Sequence, residues 1–463
     1  MVYSVSQKVK SATSQRSYTQ WIATAGVLLL MLQTGIMAGW TSPNIARLTS
    51  ENSTLPLTLN EASWVASCLN LGRFVGALLV PVLIEYVGSK KTIIFVFSPV
   101  SVSWVFMMVG NSVEWFYAAR FLGGISFGMA YGCFSLFLGE VSSPTIRGTL
   151  ISMAMIGAPL GTVIGTICES YLPMSVSSAI YLAQCLVGII LFMWLPDSAY
   201  YLVKRKDVTG ARKSIAWYRG EQELDKELDA VQGFVEANAG KTVADNLREF
   251  KSTPIRKAMI LVIILFIFPQ MCGLFNILFY MEIILTKGKS FLVNPQEFVI
   301  YANVVSVVST TLAIRLIDKL GRRFLLMVSS IGTTTAMIGL GTHFYLLSTD
   351  VDPEKLQWLP IASILLFTFT FTIGFMTVPS TVLSEIFPSS VKSAAASISS
   401  FTSAFFGFVA AKAYQPMVDG IGEAYVFWIH AGFSVLAVPT ALFLLPETKG
   451  KTFQEIQDIL HRK

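Results

Sequence analysis

The sequence predicts an all-α polytopic membrane protein with twelve transmembrane helices in two six-helix bundles. Among its 463 residues, 53% are apolar and only 13% are charged, whereas a soluble domain carries about 25% charged residues. Twelve apolar stretches are long enough to cross a bilayer, and one polar segment divides them into six and six. This composition excludes a soluble enzyme, a disordered chain and a coiled coil.

Each of the twelve predicted spans holds about 20 mostly apolar residues, the length that a helix needs to cross the hydrocarbon core. In chain order they cover residues 20–40, 63–86, 91–110, 115–139, 148–171, 177–195, 258–285, 297–317, 324–347, 358–384, 393–416 and 424–445. The first is too long for the core of a signal peptide and has no convincing small-residue cleavage site, so we expect it to be retained.

One segment has the composition of a soluble protein, and it lies between the sixth and seventh spans. Within it, apolar residues recur at helical spacing among charged ones, which predicts a surface helix with one apolar stripe. The stripe consists of Leu224, Leu228, Val231 and Val235. We therefore expect five parts of the chain. They are a cytoplasmic N-terminus at 1–19, a first bundle at 20–196, a cytoplasmic helical linker at 197–257, a second bundle at 258–446 and a cytoplasmic tail at 447–463.

The distribution of Lys and Arg predicts which side of the membrane each loop faces. With both termini on one side, that side holds 26 of the 34 cations, the opposite side holds five and the spans hold three. Cytoplasmic loops carry the excess of positive charge, so we expect both termini in the cytoplasm. The only glycosylation sequon, at Asn52, falls in the first outside loop, although so short a motif also arises by chance.

No cofactor, metal site or catalytic site is expected from the sequence. The five cysteines all fall in apolar stretches, and no CxxC or Cys/His spacing is present. No span carries a nucleophile–base pair, so we do not expect an enzyme. The net charge of +6 comes without a long basic run, which indicates membrane topology rather than nucleic-acid binding. The expected partners are a small-molecule solute and membrane lipid, and we expect a monomer.

Three charged motifs recur in both halves in the same order. The partners are Glu85, Lys90 and Lys91 with Asp318, Arg322 and Arg323; Glu140 and Arg147 with Glu385 and Lys392; and Asp197 with Glu447. Their leading acids are offset by 233, 245 and 250 residues. Nearly constant offsets indicate a duplicated six-span unit, and such repeats place the substrate at the midplane between the halves.

These motifs fall on one face of the membrane and carry complementary charges. Ion pairs on one face can hold that face shut and separate when it opens. Topology alone is the alternative, because basic loops occur in any membrane protein. Three paired motifs in the same order favour a charged gate.

The motifs resemble those of the sugar porter family of the major facilitator superfamily, and the sequence is similar to insect facilitative hexose and trehalose transporters. The resemblance covers essentially the whole chain and is carried by VGSKK, LGRR, GEVSSPTIRG, LPDSAYYL, LPETKGKTFQEI and GWTSPNIARL. It implies the major facilitator fold, solute transport by alternating access and a multi-pass protein of the plasma membrane.

The resemblance also implies a cytoplasmic charge network. Its members would be Glu85, Lys90, Lys91, Arg120, Glu140, Arg147, Asp197, Asp318, Arg322, Arg323, Glu385, Lys392 and Glu447. Lys392 stands where the family has Arg, so the bidentate pairing geometry of a guanidinium is lost there.

The sugar-binding signature of the family is only partly present. In span 7 the second Gln of the signature is retained as Gln270. Pro269 replaces the first Gln, and Phe275 stands at the position of the signature Asn. Asn276 comes one residue later, about 100° around a helix. Met155, Ser380 and Ser403 stand where relatives carry Gln, Trp and Asn. A site that has lost several amides is not expected to hold a hexose in the usual pose.

We expect two kinds of residue at the substrate site: polar side chains inside the spans, and residues at positions that bind the solute in the family. They are Gln33, Met155, Gln270, Phe275, Asn276, Ser306, Thr372, Thr377, Ser380 and Ser403. Each Ser or Thr alternatively serves as a bond between helices. For Gln33 and Gln270 we favour the cavity, since an amide is unfavourable against lipid.

Arg73 lies near mid-depth in span 2, where a cation costs about 2.5–3.5 kcal/mol on insertion scales, so it should face protein or water. In one interpretation its guanidinium binds a backbone carbonyl or Glu169. In the other it reaches the cavity and binds an anionic or strongly polar solute, such as a glycoside. Gly72 and Gly76 beside it would let a partner helix approach closely.

Two functions remain open from the sequence. The first is a facilitative carrier of a sugar or sugar-like solute, or of a non-hexose polar or anionic one. We expect uniport, because span 1 has no acidic residue between Tyr18 and Ser50 that could carry a proton. The second is a transport-inactive nutrient sensor that kept the fold. The chain has lost several amides of the family's sugar site but has kept the charges of the gate, and this combination fits a carrier and a sensor equally well.

Overall fold

The computed structural model describes residues 2–53, 55–220, 224–237, 252–349 and 352–449, together with Lys451 and Glu455. For residues 2–17 only the backbone is described. Thr54 of the sequon, residues 238–251 of the expected linker and most of the expected tail lie outside the described residues. Within the described part of the chain the regular structure is helical, which confirms the predicted fold class.

Twelve helical segments are long and apolar enough to cross a membrane. Spans 1 to 12 are Tyr18–Leu48, Leu59–Val87, Ser89–Val109, Val113–Val141, Arg147–Tyr171, Met174–Trp194, Ile255–Lys287, Pro295–Leu320, Arg322–Ser348, Glu354–Ile386, Ala394–Ile421 and Glu423–Leu444. Each overlaps the span expected from the sequence.

Several spans consist of more than one helix. Span 1 is built from Val2–Gly39 and Thr41–Leu48, span 5 from Arg147–Met155 and Gly157–Tyr171, span 7 from Thr253–Met271 and Leu274–Lys287, and span 10 from the 3₁₀ turn Pro353–Leu356 with Trp358–Ile373 and Val378–Ile386. Span 11 belongs to the helix Ser389–Ile421, and span 12 comprises Glu423–Val435, Ala437–Pro439 and the π-helical turn Thr440–Leu444.

The break in span 7 follows from its sequence. Pro269 removes one backbone donor from the last turn of the first helix, and Gly273 adopts φ +90°, a left-handed conformation that other residues rarely take. The second helix therefore begins in a new direction at Leu274. Discontinuous spans of this kind form the binding sites of many carriers.

In its described residues, the segment between spans 6 and 7 forms three short helices, Ala199–Lys204, Val208–Arg219 and Leu224–Ala237. Their apolar faces form a small core of their own, separate from that of the bundle. Its members include Leu224, Leu228 and Val231, with Val235 packed against them. The predicted apolar stripe is therefore confirmed.

The twelve spans define two ends of the bundle. The termini end carries the helices of 199–237, and the far end carries the connections at 49–58, 172–173 and 288–294. Odd-numbered spans run from the termini end to the far end. The depth of a residue between the ends follows from its place in its span.

Spans 2 and 4 cross in close contact at mid-depth. A Cβ atom at Gly72 would lie 2.0 Å from the carbonyl oxygen of Phe121, and one at Gly76 would lie 2.1 Å from that of Ile125. Only glycine fits so close an approach of two backbones. The close approach expected at these glycines is confirmed, and Arg73 is held at the crossing.

Candidate functional site

Three polar side chains meet at mid-depth, where span 2 of the first half faces spans 7 and 11 of the second. Arg73 Nη2 donates to Ser403 Oγ at 3.0 Å, and Gln270 Nε2 donates to the same oxygen at 2.9 Å. Asn70 Nδ2 donates to the carbonyl oxygen of Gly407 at 3.4 Å. The structure thus brings Arg73, Gln270 and Ser403 together, and Asn70 joins them although the sequence did not single it out.

Aromatic rings and unpaired acceptors surround this group. The Arg73 guanidinium lies 5.4 Å from the centre of the Phe127 ring. A Cβ atom at Gly407 would lie 2.8 Å from the Phe275 ring and 3.1 Å from Gln270 Oε1. Phe275, at the position where the family signature has Asn, therefore packs against span 11 of its own half. Gln270 Oε1 and Asn70 Oδ1 are buried and have no hydrogen-bond partner.

Asn276 does not take the place of the signature Asn. Its Nδ2 lies 2.7 Å from Nε2 of His430 in span 12, and His430 Nδ1 lies 2.7 Å from the carbonyl oxygen of Met271. The offset of one residue turns this amide away from the other half. Asn276 ties span 7 to span 12 instead.

Gln33 lines a small cavity beside Phe127, and its amide is hydrogen-bonded within its own half. It donates to Gln184 Oε1 and to the carbonyl oxygen of Tyr181, and it accepts from Trp104 Nε1 at 2.9 Å. All of these partners belong to spans 3 and 6 of its own half. The amide is satisfied as a bond between helices, which was the alternative for polar residues in spans.

The remaining expected positions make no hydrogen bond to Ser403 within the described part of the chain. Thr372 Oγ1 and Thr377 Oγ1 donate to carbonyl oxygens of their own helix, at 2.7 and 2.6 Å. Met155 and Ser380 are exposed, and Ser306 is half-buried.

Arg120 was expected in the cytoplasmic network, and this expectation is wrong. It lies two turns from the far end of span 4, where it donates to the carbonyl oxygens of Met37 and Val65 and to Thr41 Oγ1. Its guanidinium also lies 5.0 Å from the centre of the Trp40 ring. Arg120 is completely buried and ties spans 1, 2 and 4 together.

The expected contact between Arg73 and Glu169 is not formed. Glu169 Oε2 accepts from Asn44 Nδ2 at 2.9 Å, and Arg47 donates to the backbone oxygen of Glu169. These residues lie at the far ends of spans 1 and 5, whereas Arg73 is at mid-depth. The expected alternative, a backbone carbonyl, is also not among the hydrogen bonds of Arg73 within the described residues.

At the termini end, the charges of the second half pair with one another. Arg322 binds Glu385 through Nε and Nη2, at 3.2 and 2.6 Å, and Nη2 also lies 3.1 Å from Asp318. Thr448 Oγ1 donates to Glu385 Oε2 at 2.5 Å. Arg323 Nε donates to the carbonyl oxygen of Leu445.

Glu447 caps the start of span 9. Its carboxylate accepts from the backbone N–H groups of Arg322 and Arg323, each at 3.1 Å, and from that of Lys449 at 3.0 Å. Partial burial raises the pKa of Glu447, but these three donors and the charge of Arg322 outweigh burial and hold its pKa below the usual 4.5. The carboxylate also interacts favourably with the positive end of the helix dipole.

The corresponding charges of the first half bind the linker helices and their own half. Glu140 Oε2 accepts from Ser89 Oγ at 2.5 Å, and the backbone oxygen of Glu140 accepts from Arg219 at 2.8 Å. Lys91 lies 5.5 Å from the centre of the Tyr201 ring. Arg147 Nε is buried without a partner. Glu85, Lys90, Asp197 and Lys392 make no ion pair among the described residues.

The far end, by contrast, is joined across the two halves. Lys412 Nζ of span 11 donates to Asn60 Oδ1 at 3.0 Å and to Ser63 Oγ at 2.8 Å, and it lies 4.4 Å from the centre of the Trp64 ring. We call Lys412 with Asn60, Ser63 and Trp64 the far-end latch. One feature of the sequence indicates it, since Lys412 is a cation inside an apolar span.

Three more bonds join the halves in the far part of the bundle. Asn303 donates to Thr166 Oγ1 at 3.0 Å and Gln296 donates to the carbonyl oxygen of Ser170 at 2.6 Å. The third runs from the Glu282 backbone to Ser42 Oγ at 3.2 Å. Among the residues that the structure describes, the hydrogen bonds between halves lie in the far part or at mid-depth, and no ion pair crosses between them.

Comparisons with known proteins agree with this architecture. The facilitated trehalose transporter Tret1 of Bombyx mori is 30% identical over 451 residues, covering 96% of this chain and 88% of the relative. That of Culex quinquefasciatus is 28% identical over 445 residues, covering 95% and 86%. The inward open xylose transporter XylE from E. coli shares the fold, with a TM-score of 0.76, 20% identity and coverage of 95% and 98%.

The family model described as "Sugar (and other) transporter" matches residues 18–460, which is nearly the whole chain. Together with the relative that is 30% identical, this match establishes the family that the sequence motifs predicted. The chain belongs to the sugar (and other) transporter family and has the major facilitator fold.

Proposed function

We propose that this protein is a facilitative carrier that moves a sugar or a sugar-like solute across a membrane by alternating access. The observation that carries the proposal is the asymmetry of contacts between the halves. Hydrogen bonds join them at the far end, whereas the charged motifs of the termini end pair within their own half as far as the described residues show. A carrier closed at one end and open at the other has this pattern. The relatives' name makes trehalose the first solute to test.

The termini end would face the cytoplasm. It carries 26 of the 34 Lys and Arg residues, as the positive-inside rule requires. In this orientation the structure would be an inward-open state, and we propose that the carrier is a monomer in the plasma membrane. Asn52, which is exposed at the far end, would then be a glycosylation site.

The solute would bind between the halves, beside Gln270, Ser403 and Arg73. Gln270 retains one amide of the family signature, and its unpaired Oε1 can accept a hydroxyl proton. Phe275 and Phe127 offer ring faces for a sugar. When the termini end closes, the gate charges would form pairs between the halves that compensate for the far-end bonds lost at the same moment.

Transport would be uniport without proton coupling. Span 1 carries no acidic residue, and the Glu169 side chain is hydrogen-bonded to Asn44 near the far end, away from the proposed binding site. A protonophore added at constant solute gradient should leave uptake unchanged. Uptake that collapses would contradict uniport while leaving a transport function in place.

Uptake by purified protein in liposomes tests the carrier against the sensor. Labelled monosaccharides and trehalose should enter down their gradients, and unlabelled solute inside should accelerate exchange. The variant Gln270→Ala should raise the solute concentration that gives half-maximal uptake. The control is Arg315→Ala, because Arg315 is an exposed cation elsewhere in span 8. Binding without flux for every solute would favour the sensor, although the family match favours the carrier.

A further inference from the structure

We infer that the preferred solute of this carrier bears a carboxylate on a sugar ring, and that Arg73 binds that carboxylate. The inference rests on the proposed transport function and specifies its substrate class. Arg73 lies at mid-depth and donates across the boundary between the halves to Ser403. That boundary is the path of the solute in carriers built from two such repeats.

The chain itself contains a structural intramembrane arginine for comparison. Arg120 is completely buried and donates to two carbonyl oxygens and one hydroxyl. Arg73, in contrast, donates to one hydroxyl among the described residues and is only half-buried. A guanidinium has five N–H donors, so most of those of Arg73 are available to a solute.

The charge of Arg73 is also uncompensated. Glu169, the carboxylate that could have paired with it, is bound to Asn44 near the far end. An intramembrane cation is unfavourable unless it is paired or faces a water-filled path, and such residues mark the route of a substrate. A carboxylate is the group that a guanidinium binds best, through two parallel hydrogen bonds.

The geometry around Ser403 shows where that carboxylate would bind. Arg73 Nη2 and Gln270 Nε2 both donate to Ser403 Oγ, so two donors from different halves already converge on one oxygen. A carboxylate oxygen competes for the same donors and carries the complementary charge. Binding would exchange a neutral acceptor for an anionic one, and charge-assisted hydrogen bonds are the stronger kind.

The opposite side of the group suits the hydroxyls of a sugar. Gln270 Oε1 and Asn70 Oδ1 are both at least nine-tenths buried and have no donor. Both lie near Gly407, within 3.1 and 3.4 Å of where a Cβ atom would be. A sugar hydroxyl can donate to either oxygen, and an acceptor left unpaired is unfavourable. One cation and two unpaired acceptors together select an acidic sugar over a neutral one.

The test compares D-glucuronate with D-glucose, which share a ring and differ in the carboxylate. Purified full-length protein in liposomes should take up glucuronate faster than glucose. Because an anion crosses alone in uniport, an inside-positive potential set with potassium and valinomycin should accelerate glucuronate uptake and leave glucose uptake unchanged.

Substitutions then assign the effect to Arg73. Arg73→Gln should lower the ratio of glucuronate to glucose uptake by about ten- to a hundredfold, since a hydrogen bond to a charged group contributes about 1.5–3 kcal/mol. Arg73→Lys should lower it less, because the charge remains. Arg315→Gln, the exposed cation of span 8, should leave both rates unchanged.

Three outcomes would overturn the inference. Wild-type protein that carries glucose but not glucuronate would overturn it and leave the proposed function standing. If Arg73→Gln loses uptake of both solutes equally, and Arg73→Lys restores neither rate, then Arg73 is a structural residue. Failure of wild-type protein to exchange either solute, or trehalose, would overturn the proposed function and this inference with it.

Discussion

Arg120 shows how a single side chain can hold three spans together in the membrane. Its guanidinium donates to Met37, Val65 and Thr41, which belong to spans 1 and 2. Arg120→Leu removes these bonds, and each hydrogen bond to a charged group contributes about 1.5–3 kcal/mol. We expect loss of about 3 kcal/mol of stability, measured as a lower unfolding temperature in detergent. Arg315→Leu is the control, and equal unfolding temperatures for both variants would contradict this role.

Glu447 gives a prediction about pH. Because its pKa is held below 4.5 in the folded protein, the stabilisation is fully present above 4.5 and disappears as pH falls through the lower folded-state pKa. Glu447→Gln should therefore unfold at a lower temperature than wild type near neutral pH. The two unfolding temperatures should converge in acid, below the usual pKa of the carboxyl. A difference that stays constant with pH would rule out the carboxylate as its source.

At the scale of elements, the break in span 7 decides which side chains face the solute. Around the break, Gln270 binds Ser403 and Phe275 packs beside Gly407, whereas Asn276 binds His430. Asn276→Ala should lower the unfolding temperature and leave the solute concentration for half-maximal uptake (half-saturation) unchanged. Gln270→Ala should raise half-saturation with little change in unfolding temperature. If Asn276→Ala instead raises half-saturation as Gln270→Ala does, then Asn276 lies in the site.

The elements themselves were largely predictable, because apolar length, charge asymmetry and the internal repeat depend on composition along the chain. The twelve spans and the helix of 224–237 followed from these signals. The direction in which each polar side chain points was not predictable. A step of one residue turns a side chain by about 100°, and depth shifts with the true start of each span. Asn276, which binds His430, shows the first effect, and Arg120, which lies near the far end, shows the second.

For the cations inside the spans, Arg73 and Lys412, the sequence predicts the depth in the membrane but not the hydrogen-bond partners. The position of Arg73 at mid-depth could be read from the sequence, and so could the nearby glycines. Its partner could not, because Ser403 lies 330 residues away and is brought near by the packing of span 2 on span 11. Lys412 lies near the outside end of an expected span, and its contacts with span 2 appear only in the folded protein.

At the scale of the whole molecule, the far-end latch should set the balance between the two states. Lys412 joins Asn60, Ser63 and Trp64 of span 2 to span 11. Lys412→Ala should favour opening at the far end. Cys68, which is buried in the far half of span 2, should then react faster with an impermeant maleimide in a Cys168→Ser background. Unchanged labelling would exclude the latch as a determinant of the balance.

Substitution of Arg147 or Glu385 should shift the balance between the two states in the direction opposite to Lys412→Ala, because both residues belong to the motifs of the termini end. In the present state Glu385 is bound to Arg322 of its own half, and Arg147 Nε has no partner. If the two halves exchange these partners when the termini end closes, Arg147→Ala destabilises only the closed-termini state. It should therefore slow the labelling of Cys68, whereas Lys412→Ala accelerates it.

The double variant decides whether one equilibrium connects the two ends. Lys412 and Arg147 lie at opposite ends of the bundle and share no partner, so their free-energy effects should add. In a two-state carrier, weakening each state by a similar amount leaves the populations where they began. Labelling of Cys68 in the double variant should return toward the wild-type rate, even though each single variant departs from it. A double variant that labels like Lys412→Ala alone would mean that the far end opens independently of the termini end, which alternating access forbids.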